Sequence, residues 1–94
     1  MPISMPTVFN YKGYKFYFWA NENNEPIHIH VSQGSPSSNS TKFWILKNDL
    51  AELAFSNGEF GSKELRDIGK YVENNISLIK EAWFTFHRYI KYID

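Results

Sequence analysis

Two of the three histidines in this 94-residue chain lie one residue apart, within the stretch EPIHIHV at residues 25–31. Successive side chains of a β-strand point to opposite faces, so His28 and His30 would share one face of a strand. The aliphatic residues between and around them would share the other face. An imidazole exchanges its proton near neutral pH and is also a common metal ligand. The stretch therefore predicts a histidine pair that can do acid–base chemistry or bind a metal.

A second apolar run, TKFWIL at residues 41–46, follows the serine-rich connector QGSPSSNS. If the two runs pair as antiparallel strands, Lys42 and Trp44 join both histidines on one face. Two imidazoles and an ammonium group can cleave RNA without a metal. One ring takes the 2′-hydroxyl proton, the other protonates the leaving oxygen, and the ammonium stabilises the phosphorane. This hypothesis assigns catalysis to His28, His30 and Lys42, and it requires both rings to be accessible.

Two more residues are predicted to bind or orient the groups on this face. The indole of Trp44 can stack on an unpaired base. The carboxylate of Glu25, at the start of the histidine stretch, can orient one of the rings. We therefore predict Glu25 and Trp44 as binding residues.

Two other interpretations of the histidine pair stay open. In the first, the rings only form hydrogen bonds with backbone or carboxylate groups and clasp the strands together. In the second, they are two ligands of a metal ion, with Glu25, Glu22 or His87 as the third. Nothing in the spacing requires a metal, so the sequence predicts no cofactor. His87 lies outside the main apolar stripe of its segment, and we expect it to be solvated or to face a partner.

The composition limits the cellular location and the class of partner. Ten basic and ten acidic residues cancel, which argues against a broad DNA-binding surface. The absence of cysteine excludes disulfides and thiolate metal sites and fits a cytoplasmic protein. No apolar run approaches the roughly 20 residues of a membrane span, and the first residues do not resemble a signal peptide. We expect one soluble cytoplasmic domain, residues 1–94, with no membrane partner.

The order of elements indicates an α+β fold. Residues 7–19 predict a hairpin that turns at Lys12-Gly13, and further strands follow near residues 27–32 and 41–46. Residues 50–55 permit a short strand or a single helical turn. The strand is favoured because the turn residues Asn57-Gly58 follow so soon after the segment. From Ser62, a predicted N-cap, apolar residues recur every three or four positions. We predict a small antiparallel sheet of four or five strands followed by one long C-terminal helix, or by a kinked helix pair broken at Asn74-Asn75.

The C-terminal part of this helix is a candidate docking surface. A helix of that length would extend beyond a small sheet and leave an apolar end, residues 83–93, uncovered. Trp83 and Phe86 are its predicted binding residues. The sequence thus predicts a homo-oligomer, or a complex with a partner protein, through the C-terminal helix.

The chain has a family resemblance that depends on three stretches: EPIHIHV, TKFWIL and LAELAFSNGEFGSKELRDIGKYVENNISLIKEAWFTF. It resembles the bacterial domain-of-unknown-function family numbered 4160 from about Thr7 to Phe86. Members share a Glu-Pro-x-His-x-His-Val signature, a Lys-Phe-Trp strand and a Glu-Leu-to-Trp helix. This chain differs in its serine-rich loop and in a predicted continuation of the helix through HRYIKYID, residues 87–94.

The resemblance implies a function at the level of gene context. Genes of this family tend to lie beside a second small protein, as in a two-gene toxin–antitoxin module. The predicted function is therefore a component of such a module that recognises a cognate small protein or RNA, with metal-independent RNA cleavage as its chemistry. The alternative is a non-enzymatic protein-binding module, including a phage or mobile-element inhibitor of a host protein.

Overall fold

The sheet is the element that positions the candidate site. The structure is a computed structural model that describes residues 7–22, 24–37 and 39–94. The prediction that the chain has no signal peptide depends on residues 1–6, which lie outside these ranges. Five strands form one antiparallel sheet in sequence order. They are β1 (Thr7–Tyr11), β2 (Tyr14–Tyr17), β3 (His28–Gln33), β4 (Thr41–Ile45) and β5 (Ala51–Phe55). The predicted α+β class, with a fifth strand rather than a helical turn, is confirmed.

The first hairpin turns where the sequence predicted. Lys12 and Gly13 both have positive φ, 51° and 80°. Two adjacent residues with positive φ form the type of two-residue turn whose twist matches that of paired strands. Tyr11 of β1 consequently lies opposite Tyr14 of β2.

The pairing of β3 with β4 decides which side chains meet. His28 lies opposite Trp44, and His30 lies opposite Lys42. Residues directly opposite in an antiparallel pair point to the same face. The predicted face with both histidines, the lysine and the tryptophan is therefore confirmed, and Ile29 and Phe43 point to the opposite, core face.

Two helices, not one, follow the sheet. They are α1 (Ser62–Asn74) and α2 (Ile76–His87). Asn75 between them has φ −123° and ψ 24°, and its side-chain amide donates to the carbonyl oxygen of Tyr71. The regular apolar stripe favoured one continuous helix, which is wrong; the alternative break at the asparagine pair is right. The N-cap is Gly61, one residue before the predicted Ser62, and its N–H donates to the Glu64 carboxylate at 3.0 Å.

The core lies between the two helices and one face of the sheet. Ile68 and Val72 of α1 are buried against the aliphatic and aromatic residues of the central strands. A Cβ at Gly69 would lie 3.4 Å from the ring of Phe43, so glycine permits the close approach of helix to sheet. The histidines lie on the other face of the sheet, where they contact Glu22 and Ser40 from loops and Trp83 from α2.

The chain after α2 returns to the segment that precedes β3. Arg88 ends the helix with φ 66°. The N–H of Ile27 then donates to the carbonyl oxygen of Lys91 at 2.7 Å, and the Tyr89 hydroxyl donates to that of Glu25 at 2.8 Å. The predicted extension of the helix through residue 94 is therefore wrong, because these contacts turn the terminal segment back onto the domain.

No helix among the described residues has both the length and the apolar character that crossing a membrane requires.

Candidate functional site

A carboxylate from a loop meets the histidine pair. Glu22 lies in the loop between β2 and β3, and its Oε2 atom is 2.8 Å from Nε2 of His28 and 2.9 Å from Nε2 of His30. The His28 ring is 0% exposed, His30 is 6% exposed and Glu22 is partly buried. Two imidazoles and one carboxylate therefore converge on a single enclosed point.

The hydrogen bond of His28 fixes where its proton lies. Its Nδ1 atom is 2.8 Å from the carbonyl oxygen of Pro26. A carbonyl oxygen only accepts hydrogen bonds, so Nδ1 carries a hydrogen. In a neutral ring, Nε2 then holds a lone pair, and this lone pair lies beside the Glu22 carboxylate.

Two lone pairs at this distance repel unless a positive charge lies between them. Burial opposes ionisation of Glu22, but His28 with a proton on Nε2, together with His30 and the backbone N–H of Trp19, outweighs it and holds the pKa of Glu22 well below its usual range. Glu22 is therefore a carboxylate at neutral pH. His28 Nε2 is buried and has no hydrogen-bond partner of suitable geometry. Either a proton on His28 or a bound cation must balance the contact.

His30 is held by a chain of hydroxyl groups. Its Nδ1 atom is 3.3 Å from Oγ of Ser40, which lies 2.6 Å from the hydroxyl oxygen of Tyr17. That hydroxyl also accepts the N–H of Ser37 and lies 3.1 Å from the carbonyl oxygen of the same residue. Because hydroxyl groups both donate and accept, the chain can bond either tautomer of His30. His30 can thus donate from Nε2 to Glu22, or release Nε2 to a cation.

Aromatic rings enclose the site. Tyr17 stacks on His30 with 5.5 Å between centroids, and Trp44 meets His28 edge-on at 5.8 Å. Trp83 of α2 contacts His28 from another side at 5.0 Å. The accessibility that RNA cleavage by both rings requires is absent in this structure, because a phosphodiester cannot reach a ring that is fully buried.

Lys42 and Glu25 lie together beside the buried cluster. Lys42 Nζ is 3.3 Å from Glu25 Oε1 and 4.2 Å from the centroid of the Trp44 ring. Glu25 thus pairs with the lysine and does not orient a histidine, which corrects the role predicted for it. Glu22 takes that role.

The predicted residues of the last helix separate into buried and exposed ones. Trp83 is 0% exposed and belongs to the core, so its side chain cannot contact a partner, whereas Phe86 is 49% exposed. His87 is buried, and this burial lowers its pKa. The expectation that His87 is solvated is therefore wrong. His87 also does not belong to the group of convergent ligand residues, which is Glu22, His28 and His30.

Comparison with known proteins identifies the family. Residues 13–84 match the family described as "Domain of unknown function (DUF4160)". This chain belongs to the DUF4160 family. No curated protein and no solved structure gives a significant match. The matched part of the DUF4160 domain contains Glu22, His28 and His30, and it ends before the terminal segment that contacts Ile27.

The donor atoms of this DUF4160 domain fit a transition-metal ion. The three ligand atoms lie within 4.8 Å of one another. A tetrahedral zinc ion with bonds of about 2.0–2.1 Å would hold them about 3.3 Å apart, so the two contacts to Glu22 must open by roughly half an ångström. Metal-bound histidines usually donate their second ring nitrogen to a backbone carbonyl, carboxylate or water. Pro26 accepts in this way from His28, and the Ser40 hydroxyl can accept from His30.

Sequence analysis found the histidines but not their closest partners. Glu22 is one of three alternatives for a third ligand, and the sequence pattern assigns no role to Ser40 or Tyr17. The sequence could have placed Tyr17 on the histidine face, because side chains alternate between faces along β2 as they do along β3 and Tyr17 lies opposite His30.

Proposed function

We propose that this DUF4160 domain binds one divalent transition-metal ion, zinc by its ligand set, through Glu22, His28 and His30. The observation that carries the proposal is the environment of the His28 ring. Its Nδ1 atom donates to the carbonyl oxygen of Pro26, and its buried Nε2 atom faces the Glu22 carboxylate. A metal ion accepts both lone pairs at once. Nitrogen and carboxylate ligands from three residues are typical of zinc sites that keep a further position for water or a ligand.

The proposal differs from the hypotheses raised by the sequence. It replaces the expectation of no cofactor, and it uses the histidines as ligands instead of as acid and base. RNA cleavage by the histidine pair and the toxin–antitoxin context stay predictions, since the buried rings give no support to the first and the family match does not bear on the second. A cytoplasmic location likewise stays a prediction.

Metal titration tests the proposal directly. Zinc should bind the purified domain with 1:1 stoichiometry and raise its thermal stability. At a free concentration 100 times the Kd, the gain is about 2.7 kcal/mol. Cobalt(II) should give the visible absorption of a low-coordinate site with nitrogen and oxygen ligands. Calcium and magnesium should change neither signal, because these hard ions prefer sites made only of oxygen.

The contrary outcome is equally clear. If zinc leaves the melting temperature unchanged and the domain cannot take zinc from a weak chelator, the metal site is absent. The positive charge beside Glu22 is then a proton on His28. The cluster is then an ion pair that clasps the sheet.

Protein binding through β5 is the second candidate function. This strand is an edge of the sheet, and the side chains of Leu53 and Phe55 on it are exposed. An exposed edge strand with apolar side chains can pair with a strand of another chain. The alternative surface, predicted from the sequence, is α2 around Phe86.

Light scattering at several concentrations separates the two surfaces. If β5 mediates association, Leu53→Lys should lower the mass of the assembly, whereas Phe86→Lys should not. A mass that stays monomeric at every concentration would remove homo-oligomerisation through either surface.

A further inference from the structure

Lys42 lies on the same face of the sheet as the two histidines of the proposed metal site. It lies directly opposite His30 in the β3–β4 pair. Its ammonium group rests on the Trp44 ring, and the edge of that ring meets His28. One indole therefore connects the ammonium group with the metal-binding cluster.

The ion pair that holds Lys42 is suited to exchange. The Lys42 side chain is 20% exposed, while its partner Glu25 is 41% exposed. Ion pairs with this degree of exposure contribute only about 0–1 kcal/mol. Glu25 can therefore turn toward solvent, and another anion can take its place while the lysine stays on the indole.

The charge of the proposed centre also favours an anion. A divalent ion with one carboxylate and two neutral imidazoles has a net charge of about +1 and, with three protein ligands, a vacant coordination position. Glu22 and His30 are the ligands that reach solvent, with side-chain exposures of 12% and 7%. Access to the ion is therefore from the side of these two residues, and β4 pairs with this part of β3 through Lys42.

We propose that the site recognises the oxyanion group of a small ligand, a phosphate or a carboxylate, with one oxygen on the metal and another on the ammonium group of Lys42. This inference rests on the metal site proposed above and names the class of ligand that it takes. In the absence of the ligand, the carboxylate of Glu25 forms an ion pair with the ammonium group of Lys42.

The test uses the zinc-loaded domain, with inorganic phosphate and acetate as separate probes in calorimetric titrations. Lys42→Met should weaken binding of the preferred anion by about tenfold or more, equivalent to about 1.4 kcal/mol. Glu25→Gln should strengthen it, since the ammonium group is released from its partner. Lys63→Met, on α1 and away from this face, serves as the control and should bind as the unaltered protein does.

The opposite signs of the two variants make the result decisive. A purely structural lysine–glutamate pair would give the same change in both variants, which would overturn the inference, as would failure of both anions to bind the zinc-loaded protein. Binding of phosphate or of acetate alone supports it and decides between the two ligand classes. Zinc affinity is measured separately in each variant, so a protein that binds zinc but no anion refutes only this inference. A protein that binds no zinc refutes the proposed function as well.

Discussion

Replacing Glu22 with glutamine is expected to abolish zinc-dependent stabilisation while the metal-free protein stays folded. The carboxylate is the only charged ligand among the three proposed ones, and glutamine offers the metal a weak neutral oxygen. Loss of partners that merely orient ligands already lowers metal affinity by about 10–100-fold. We therefore expect a loss of at least about 100-fold for Glu22→Gln, measured by competition with a chromophoric zinc chelator.

The stability of the metal-free variant shows whether His28 is neutral or protonated when no metal ion is bound. A glutamine amide can donate to the lone pair of neutral His28, so the repulsive contact disappears and the melting temperature at pH 7 should stay equal or rise. If the cluster is instead a buried ion pair between protonated His28 and Glu22, removing one partner should destabilise the fold by about 3–5 kcal/mol.

Glu25→Gln is the matched control for this experiment. It removes a carboxylate three residues further along the same loop, from a residue that pairs with Lys42 and contacts neither histidine in the described structure. Its zinc affinity should equal that of the unaltered protein. Equal losses in both variants would show that general charge, not ligation by Glu22, governs zinc binding.

Replacing Trp83 with alanine is expected to have the largest effect on folding. The indole is fully buried and contacts Phe18, His28 and His87. Truncating a buried tryptophan to alanine costs about 3–5 kcal/mol through lost burial and the cavity left behind. This is a large part of the 5–15 kcal/mol that stabilises a typical domain.

Chemical denaturation measures this effect, with Phe86→Ala as the control on the same helix. Because Phe86 is about half exposed, its truncation should cost less than about 1 kcal/mol. If Trp83→Ala does not fold, Trp83→Phe fills most of the volume and should unfold at an intermediate denaturant concentration. Equal effects of the two alanine substitutions would contradict the assignment of Trp83 to the core.

The faces of the strands could be predicted because they depend on local alternation. His28, His30, Lys42 and Trp44 lie where a period of two residues places them, and one antiparallel pairing aligns them. The hairpin at Lys12-Gly13 could be predicted for a similar reason, since it follows from the backbone preferences of two residues.

The partners across the site could not be predicted, because they depend on how loops fold over the sheet. Glu22 and His30 are eight positions apart in the sequence, and Tyr17 and Ser40 are 23 positions apart. Nothing in their spacing indicates that they meet. For the same reason, the apolar stripe identifies Trp83 as a buried position but does not identify the residues it packs against. Those residues depend on the break between the helices at Asn75.

The return of the chain after α2 has a consequence for the order of events during synthesis. Tyr89 and Glu25 are 64 residues apart, yet their hydrogen bond and that between Lys91 and Ile27 secure the segment directly before His28. Contacts so distant along the chain form only after the intervening residues have been made and the loop has closed. The histidine strand can therefore be translated early, but its final anchoring waits until residues 89–91 have left the ribosome.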